Sequence, residues 1–236
     1  MCAVMAAGLT LSAQGAVATT SAPAKDAAPK KPALKGPARW EKDIAAFEKS
    51  DAVNPPPKGG IVFVGSSSIR MWKTLAQDFP KHNVINRGFG GSQTSDSIHF
   101  ADRIVIPYEP RMIVFYAGAN DISAKKSPEQ VAADFRTFVE KVRAKLPKVE
   151  IAYISIAGNP ARWAQVEQVK AANALIAAYC KETPRTQFID VFTAMLGPDG
   201  LPKPDIFIKD RLHMNEKGYE LWTSIIGPRL GRADRE

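Results

Sequence analysis

Ser67, Gly91, Asn120, Asp210 and His213 are the residues of this chain whose types and order could do acyl-transfer chemistry. They lie in four short patches: Gly65-Ser66-Ser67-Ser68 after an apolar run, a glycine cluster ending at Gly91, Gly118-Ala-Asn120-Asp121, and Asp210-Arg-Leu-His213. A serine hydroxyl attacks an ester carbonyl when a base takes its proton, and the base needs a carboxylate to orient it. The oxygen that gains charge needs fixed donors. Ser67 fits the nucleophile, His213 the base and Asp210 the orienting acid. The N–H groups of Ser67 and Gly91 and the side-chain amide of Asn120 fit the oxyanion donors.

Singly, each patch has an ordinary structural use. Consecutive serines cap helices, a glycine cluster makes a turn, Asn-Asp is a turn dipeptide, and Asp-x-x-His pairs loops. The cluster Gly88, Gly90 and Gly91 carries neither a full dinucleotide fingerprint nor the Gly-Lys-Ser/Thr ending of a phosphate-binding loop. Asp210 and His213 have no third ligand in sight that would make them a metal pair, so no metal and no cofactor is expected. His82, in a loop after Lys81, and His99, within a helical stretch, read as surface or core residues. It is the joint occurrence of the patches, in this order, that selects the chemistry.

The elements that must position them follow from periodicity. Apolar, β-rich runs at 61–64, 84–86, 112–117, 151–156 and 187–191 predict strands. Helical patterns are predicted over 40–50, 68–79, 95–104, 128–146, 164–181 and 215–230. Short, continuously apolar strands alternating with helices predict a three-layer α/β/α sandwich around a five-stranded parallel sheet, a flavodoxin-like arrangement. Ligands bind such sheets at the carboxyl ends of the strands. Ser67, Gly91 and Asn120 follow the first, second and third strands, and the Asp210–His213 loop follows the fifth, so all converge on one edge. Three further residues at that edge are candidates for the pocket wall: Phe89, Arg162 and Trp163. Arg70, Met71 and Trp72 are expected to pack the helix after the nucleophile. The stretch from Trp40, with Ile44 and Phe47 at helical spacing, is expected to brace the domain.

Composition sets the frame. The chain has 236 residues, 45% hydrophobic and 24% charged, enough for a single domain over 38–236 once the N-terminal stretches are set aside. The net charge is +8, but Lys25, Lys30, Lys31, Lys35 and Arg39 against Asp26 concentrate half of it in a Pro/Ala/Lys-rich stretch, read as a linker over 23–37. No nucleic-acid-binding signature accompanies it. Residues 1–22 are small and apolar, with Ala16-Val-Ala18 as a small-x-small cleavage site, and read as an export signal, although no Lys or Arg precedes the apolar run. A periplasmic or secreted protein is the expectation, with no transmembrane segment after the signal. Of the two cysteines, Cys2 falls in the signal and Cys180 late in a helical stretch, where a core thiol is expected.

These residues resemble the SGNH (GDSL-type) hydrolases, and among them the bacterial esterases similar to platelet-activating-factor acetylhydrolase. The likeness runs from about Ile61 to about Leu230. The family's Gly-Asp-Ser block is matched by Gly65-Ser66-Ser67, with Ser66 where the family has aspartate. Its glycine block is matched by Gly91, its Gly-x-Asn-Asp block by Gly118 to Asp121, and its Asp-x-x-His block by Asp210 to His213. Alignment on Gly65 is what picks Ser67 from three consecutive serines. The resemblance implies a carboxylic ester hydrolase that forms an acyl-enzyme at Ser67 on short, acetyl-like acyl groups and needs no cofactor. The substrate is a small-molecule, glycan or lipid ester, whose alcohol part is left open among carbohydrate O-acetyl esters, lysophospholipids, aryl esters and thioesters. A glycan O-acyltransferase using the same triad, or a non-catalytic carbohydrate-binding module, are the alternatives. Oligomeric state is not legible.

Overall fold

Each of the five apolar runs forms a strand in the computed structural model, which describes residues 1–3 and 36–231. The strands are β1 (Ile61–Gly65), β2 (Val84–Gly88), β3 (Met112–Tyr116), β4 (Glu150–Ile154) and β5 (Thr186–Ile189), all parallel, in the order β2-β1-β3-β4-β5. The central strands β1 and β3 are buried along their whole length, which is why they read as unbroken apolar runs rather than alternating ones. The period of two still operates beneath that. Val62 and Val64 face one core, with Ile113, Phe115, Ile151 and Tyr153. Ile61 and Phe63 face the other, with Met112, Val114, Ala152 and Ile154.

The first core is closed by residues of α1 (Glu41–Val53), α4 (Thr94–Ile104), α6 (Pro128–Arg143) and α7 (Val166–Glu182). The second is closed by α2 (Ser67–Met71), α3 (Leu75–Asp78) and α8 (Glu216–Ile226). A short α5 (Ala119–Ser123) follows β3. The result is the three-layer sandwich, within a compact unit whose described residues are 36–231. No helix among the described residues is long and apolar enough to cross a membrane. The export signal from residue 4 onward, and the linker as far as residue 35, lie outside the described residues.

The helix expected over 68–79 is two helices. The Asn86 side chain, from β2, donates to the carbonyls of Ile69 (2.7 Å) and Trp72 (3.3 Å), so the end of α2 is satisfied without a further turn. The Trp72 indole is then buried and donates to Asp78. The last helix also stops early, at Ile226, and a 3-10 turn over Gly227–Arg229 carries Pro228, which has no N–H to continue the ladder.

The N-terminal stretch does brace the domain. A 3-10 turn (Gly36–Trp40) leads into α1, whose Ile44 is fully buried. Asp51 of α1 accepts from Arg87 of β2 and from the Tyr108 hydroxyl, and Arg87 Nε also donates to Tyr108 at 2.7 Å.

Candidate active site

The turn after β1 is built for one purpose geometrically: to end a buried strand and start a helix within two residues. Gly65 makes it possible, with φ +140° and a backbone so close to Tyr116 that a Cβ would overlap the Tyr116 carbonyl. The Ser66 N–H donates to that carbonyl at 2.9 Å, and Ser67 opens α2. Of the three serines, it is Ser67 that meets the histidine, with Oγ 2.8 Å from His213 Nε2. Ser66 is 3% exposed, and Ser68 turns its carbonyl to the Tyr219 hydroxyl at 2.9 Å.

The far side of the cleft is a tight loop. Asp210 Oδ1 accepts the N–H groups of Leu212 and His213, both at 2.9 Å, and Oδ2 lies 2.6 Å from His213 Nδ1. Arg211 takes a left-handed conformation (φ +58°) to close the loop, and a bridge between Phe207 and Met214 pins its base. Desolvation pushes the Asp210 carboxyl upward, but the hydrogen bonds from His213 and Leu212 outweigh it and hold the pKa down at about 2. An ionised Asp210 places the imidazole proton on Nδ1, which leaves the Nε2 lone pair facing the Ser67 hydroxyl.

Opposite stands a set of donors. Among the described residues, neither the Ser67 N–H nor the Gly91 N–H has a hydrogen-bond acceptor. Asn120 Nδ2 donates to the Ser92 carbonyl at 3.0 Å, which leaves its second amide hydrogen uncommitted. The amide's orientation is set by Arg162, whose Nη1 donates to Asn120 Oδ1 at 3.0 Å and to the Ala119 carbonyl at 3.2 Å. Next to Asn120, the fully buried Asp121 accepts the Thr94 N–H at the start of α4 and pairs with Lys126 at 3.0 Å. Burial pushes the Asp121 carboxyl up, against the pull of Lys126. The Gly91 loop and the Asn120 loop are thereby tied to each other.

Two hollows meet at Ser67, Asn120 and His213. The inner one, about 20 Å³, is lined by Tyr116, Ala157, Met195, Phe207, Met214 and Trp222 together with Ser66, Ser68, Asn159 and Arg162. The outer one, about 380 Å³ and open, is lined by Asp43, Arg70, Gly90, Gly91, Arg162 and Leu212.

The structure thus brings Ser67, Gly91, Asn120, Arg162, Asp210 and His213 together. It does not bring Phe89, which is fully buried and packs edge-on between Trp40 and Phe100, because β2 ends with that side chain facing the first core. Trp163 stacks on Phe192 and lines neither hollow at Ser67, since the 3-10 turn over Pro160–Gln165 directs Arg162 to the cleft and its neighbour behind it. Arg70, expected to pack, instead lines the outer hollow, and a Cβ on Gly90 would lie 2.7 Å from its Nε. Its position one turn after Ser67, on a helix whose side chains lean toward the N-terminus, was the available signal. Asp43 was missed because nothing local links α1 to the cleft. Cys180 is buried, and desolvation pushes its thiol up to about 11, as befits a core residue.

A protein-family model for GDSL-like lipases and acylhydrolases matches residues 62–221. No curated protein matches the chain in sequence. Solved structures do match in fold. A Streptococcus pneumoniae protein assigned provisionally to platelet activating factor is similar at TM-score 0.73 and 19% identity, over 82% of this chain and 94% of that one. A GDSL-like lipase from Bacteroides thetaiotaomicron is similar at TM-score 0.67 and 22% identity, over 80% and 97%. A variant of an acetyl-xylooligosaccharide esterase from Geobacillus is similar at TM-score 0.60 and 15% identity, over 75% and 97%. At these identities the structures speak for the fold, and the family model for the lineage. With strand order, serine turn and family model in agreement, the chain belongs to the GDSL-like lipase/acylhydrolase family and is a carboxylic ester hydrolase.

Proposed function

We propose that Ser67, His213 and Asp210 cleave short-acyl esters of polar alcohols, acetylated carbohydrates foremost, through an acyl-enzyme. The observation that carries this reading is the contrast between the two hollows that share Ser67. A cavity of about 20 Å³ is roughly the size of one water or one methyl group. The outer hollow of about 380 Å³ adds Asp43 and Arg70 to the Arg162 that both hollows share, and these charged groups suit hydroxyl-rich groups better than an alkyl chain. The acyl methyl enters the inner hollow and the alcohol occupies the outer one.

His213 Nε2 takes the Ser67 proton as Oγ bonds to the carbonyl carbon, and the oxyanion forms toward the Ser67 N–H, the Gly91 N–H and the free Asn120 amide hydrogen. Collapse breaks the ester C–O bond, and the leaving alkoxide takes the proton from His213. Water repeats the sequence on the acyl-serine, losing its proton to His213 and releasing the acid and the serine hydroxyl. The open outer hollow admits that water, which favours hydrolysis over transfer to a second alcohol. The apolar residues 1–22 support export, which would put the enzyme where extracellular or periplasmic glycans are found.

The test is hydrolysis of p-nitrophenyl acetate, butyrate and octanoate by the wild type and by Ser67→Ala, Ser66→Ala and Ser68→Ala. The expected result is a rate that falls with acyl length and disappears only in Ser67→Ala. Turnover that survives Ser67→Ala ends the proposal, and an octanoate preference ends its short-acyl part. Acetate release from acetylated xylo-oligosaccharides then tests the alcohol side.

A further inference from the structure

The Gly91 N–H is half of a peptide unit whose other half is the Gly90 carbonyl, and that carbonyl is held from outside the loop. Trp40 Nε1 donates to Gly90 O at 2.8 Å. We propose that Trp40 is a positioning residue for catalysis, fixing by this bond the direction in which the Gly91 N–H points into the cleft. The proposal rests on the reading of Gly91 as an oxyanion donor.

A peptide group is planar and trans, so its C=O and N–H point in opposite directions and anchoring one end aims the other. The anchor matters most here because the unit joins two glycines, Gly91 at φ +77°, and glycine backbones resist rotation of the plane least. Within the loop, Ser92 Oγ holds the Phe89 carbonyl at 2.9 Å and the Gly65 carbonyl at 3.3 Å, which leaves the Gly90–Gly91 unit to other donors. Trp40 supplies one, and Arg39 Nη2 a weaker one to the next carbonyl, Gly91 O, at 3.3 Å. A hydrogen bond accepted at C=O also polarises the N–H of the same unit, so the bond both aims the donor and strengthens it.

The indole itself is held. Trp40 is 5% exposed, meets Phe89 edge-on at 5.8 Å, and has the Arg39 guanidinium 3.9 Å over its face. It begins the brace that Asp51 fastens to Arg87 and Tyr108. The brace lies upstream of the residues the family model matches, 62–221, so this donor is contributed by a segment that the family model does not include.

The experiment replaces the donor while keeping the ring. Trp40→Phe, and beside it a chain with 3-benzothienylalanine at position 40, which has the shape of tryptophan with sulfur in place of N–H, are assayed on p-nitrophenyl acetate. Inhibition by phenylboronic acid, which forms a tetrahedral adduct at a catalytic serine, is compared with inhibition by acetate. Thermal midpoints are recorded for all. The expected result is a kcat lowered about 10-fold or more with KM within about twofold, boronate inhibition weakened by a similar factor, and acetate inhibition unchanged. Unchanged kcat in the benzothienyl protein overturns the proposal. So does parallel weakening of boronate and acetate with a fallen thermal midpoint, which is the signature of a loosened site. A wild type that neither turns over the ester nor binds boronate refutes the serine mechanism itself, a failure separate from that of Trp40.

Discussion

At the scale of the residue, Arg162 and Asn120 divide one task. On the proposed mechanism Asn120 offers a hydrogen to the oxyanion, and Arg162, holding Oδ1 at 3.0 Å, helps to fix which end of the amide faces it. Arg162→Met should therefore lower kcat about 10-fold while KM for p-nitrophenyl acetate changes little, since the amide is then held only by its bond to the Ser92 carbonyl. A rise in KM at constant kcat would show that Arg162 binds substrate instead. Asp210 bears on pH. Its carboxyl is held down at about 2, below the ordinary value of 3.8, so it contributes stability that is present above about pH 4 and lost as pH falls toward 2. Across the range in which an imidazole titrates, Asp210 stays ionised. The acid limb of the rate profile should then carry no contribution from Asp210 above about pH 4, and a slope of two there would contradict this. The residues read as chemical were the ones with unusual types at strand ends. Phe89 was misplaced because a glycine-flanked aromatic is equally compatible with a pocket wall and a core.

At the scale of the element, the strut between the Gly91 and Asn120 loops is Asp121. It reaches the N-terminus of α4 through Thr94, and its charge is met by Lys126, which also pairs with Asp134 at 2.7 Å. Removing Lys126 leaves a fully buried carboxylate without its cation, and breaking such a pair costs roughly 3 to 5 kcal/mol. Lys126→Met should show this as a lower urea midpoint, with activity lost at a lower urea concentration than in the wild type. A midpoint unchanged within error would mean Asp121 is protonated in the folded chain. The strands were legible because β1 and β3 are apolar from end to end, a pattern only a doubly covered sheet requires. The break between α2 and α3 was not, because it depends on Asn86, which lies 17 residues from Ile69 and 14 from Trp72. No local rule looks that far. The place of Asp43 at the cleft and the bond from Trp40 to Gly90 escaped for the same reason: the brace, itself legible from Trp40, reaches the cleft only in three dimensions.

At the scale of the whole molecule, the sheet gathers Ser67, Gly91 and Asn120 from its three contiguous strands β2, β1 and β3, at their carboxyl ends. The proposed base comes from elsewhere. His213 is 146 residues from Ser67 and is carried by a loop that follows the last strand and precedes the last helix. Nucleophile and base are therefore joined only by tertiary structure, and contacts of such separation form after local ones have been made. In refolding from urea, burial of Trp72 and Trp222 should be followed by, and never lag behind, the return of esterase activity. Activity that recovers first would show that the cleft assembles independently of the second core. On the proposed mechanism the Ser67–His213 contact acts as a clock set at the end of folding: a chain that stops before Asp210, as one still being synthesised does, carries the serine without the base, so hydrolysis waits until the last loop has joined.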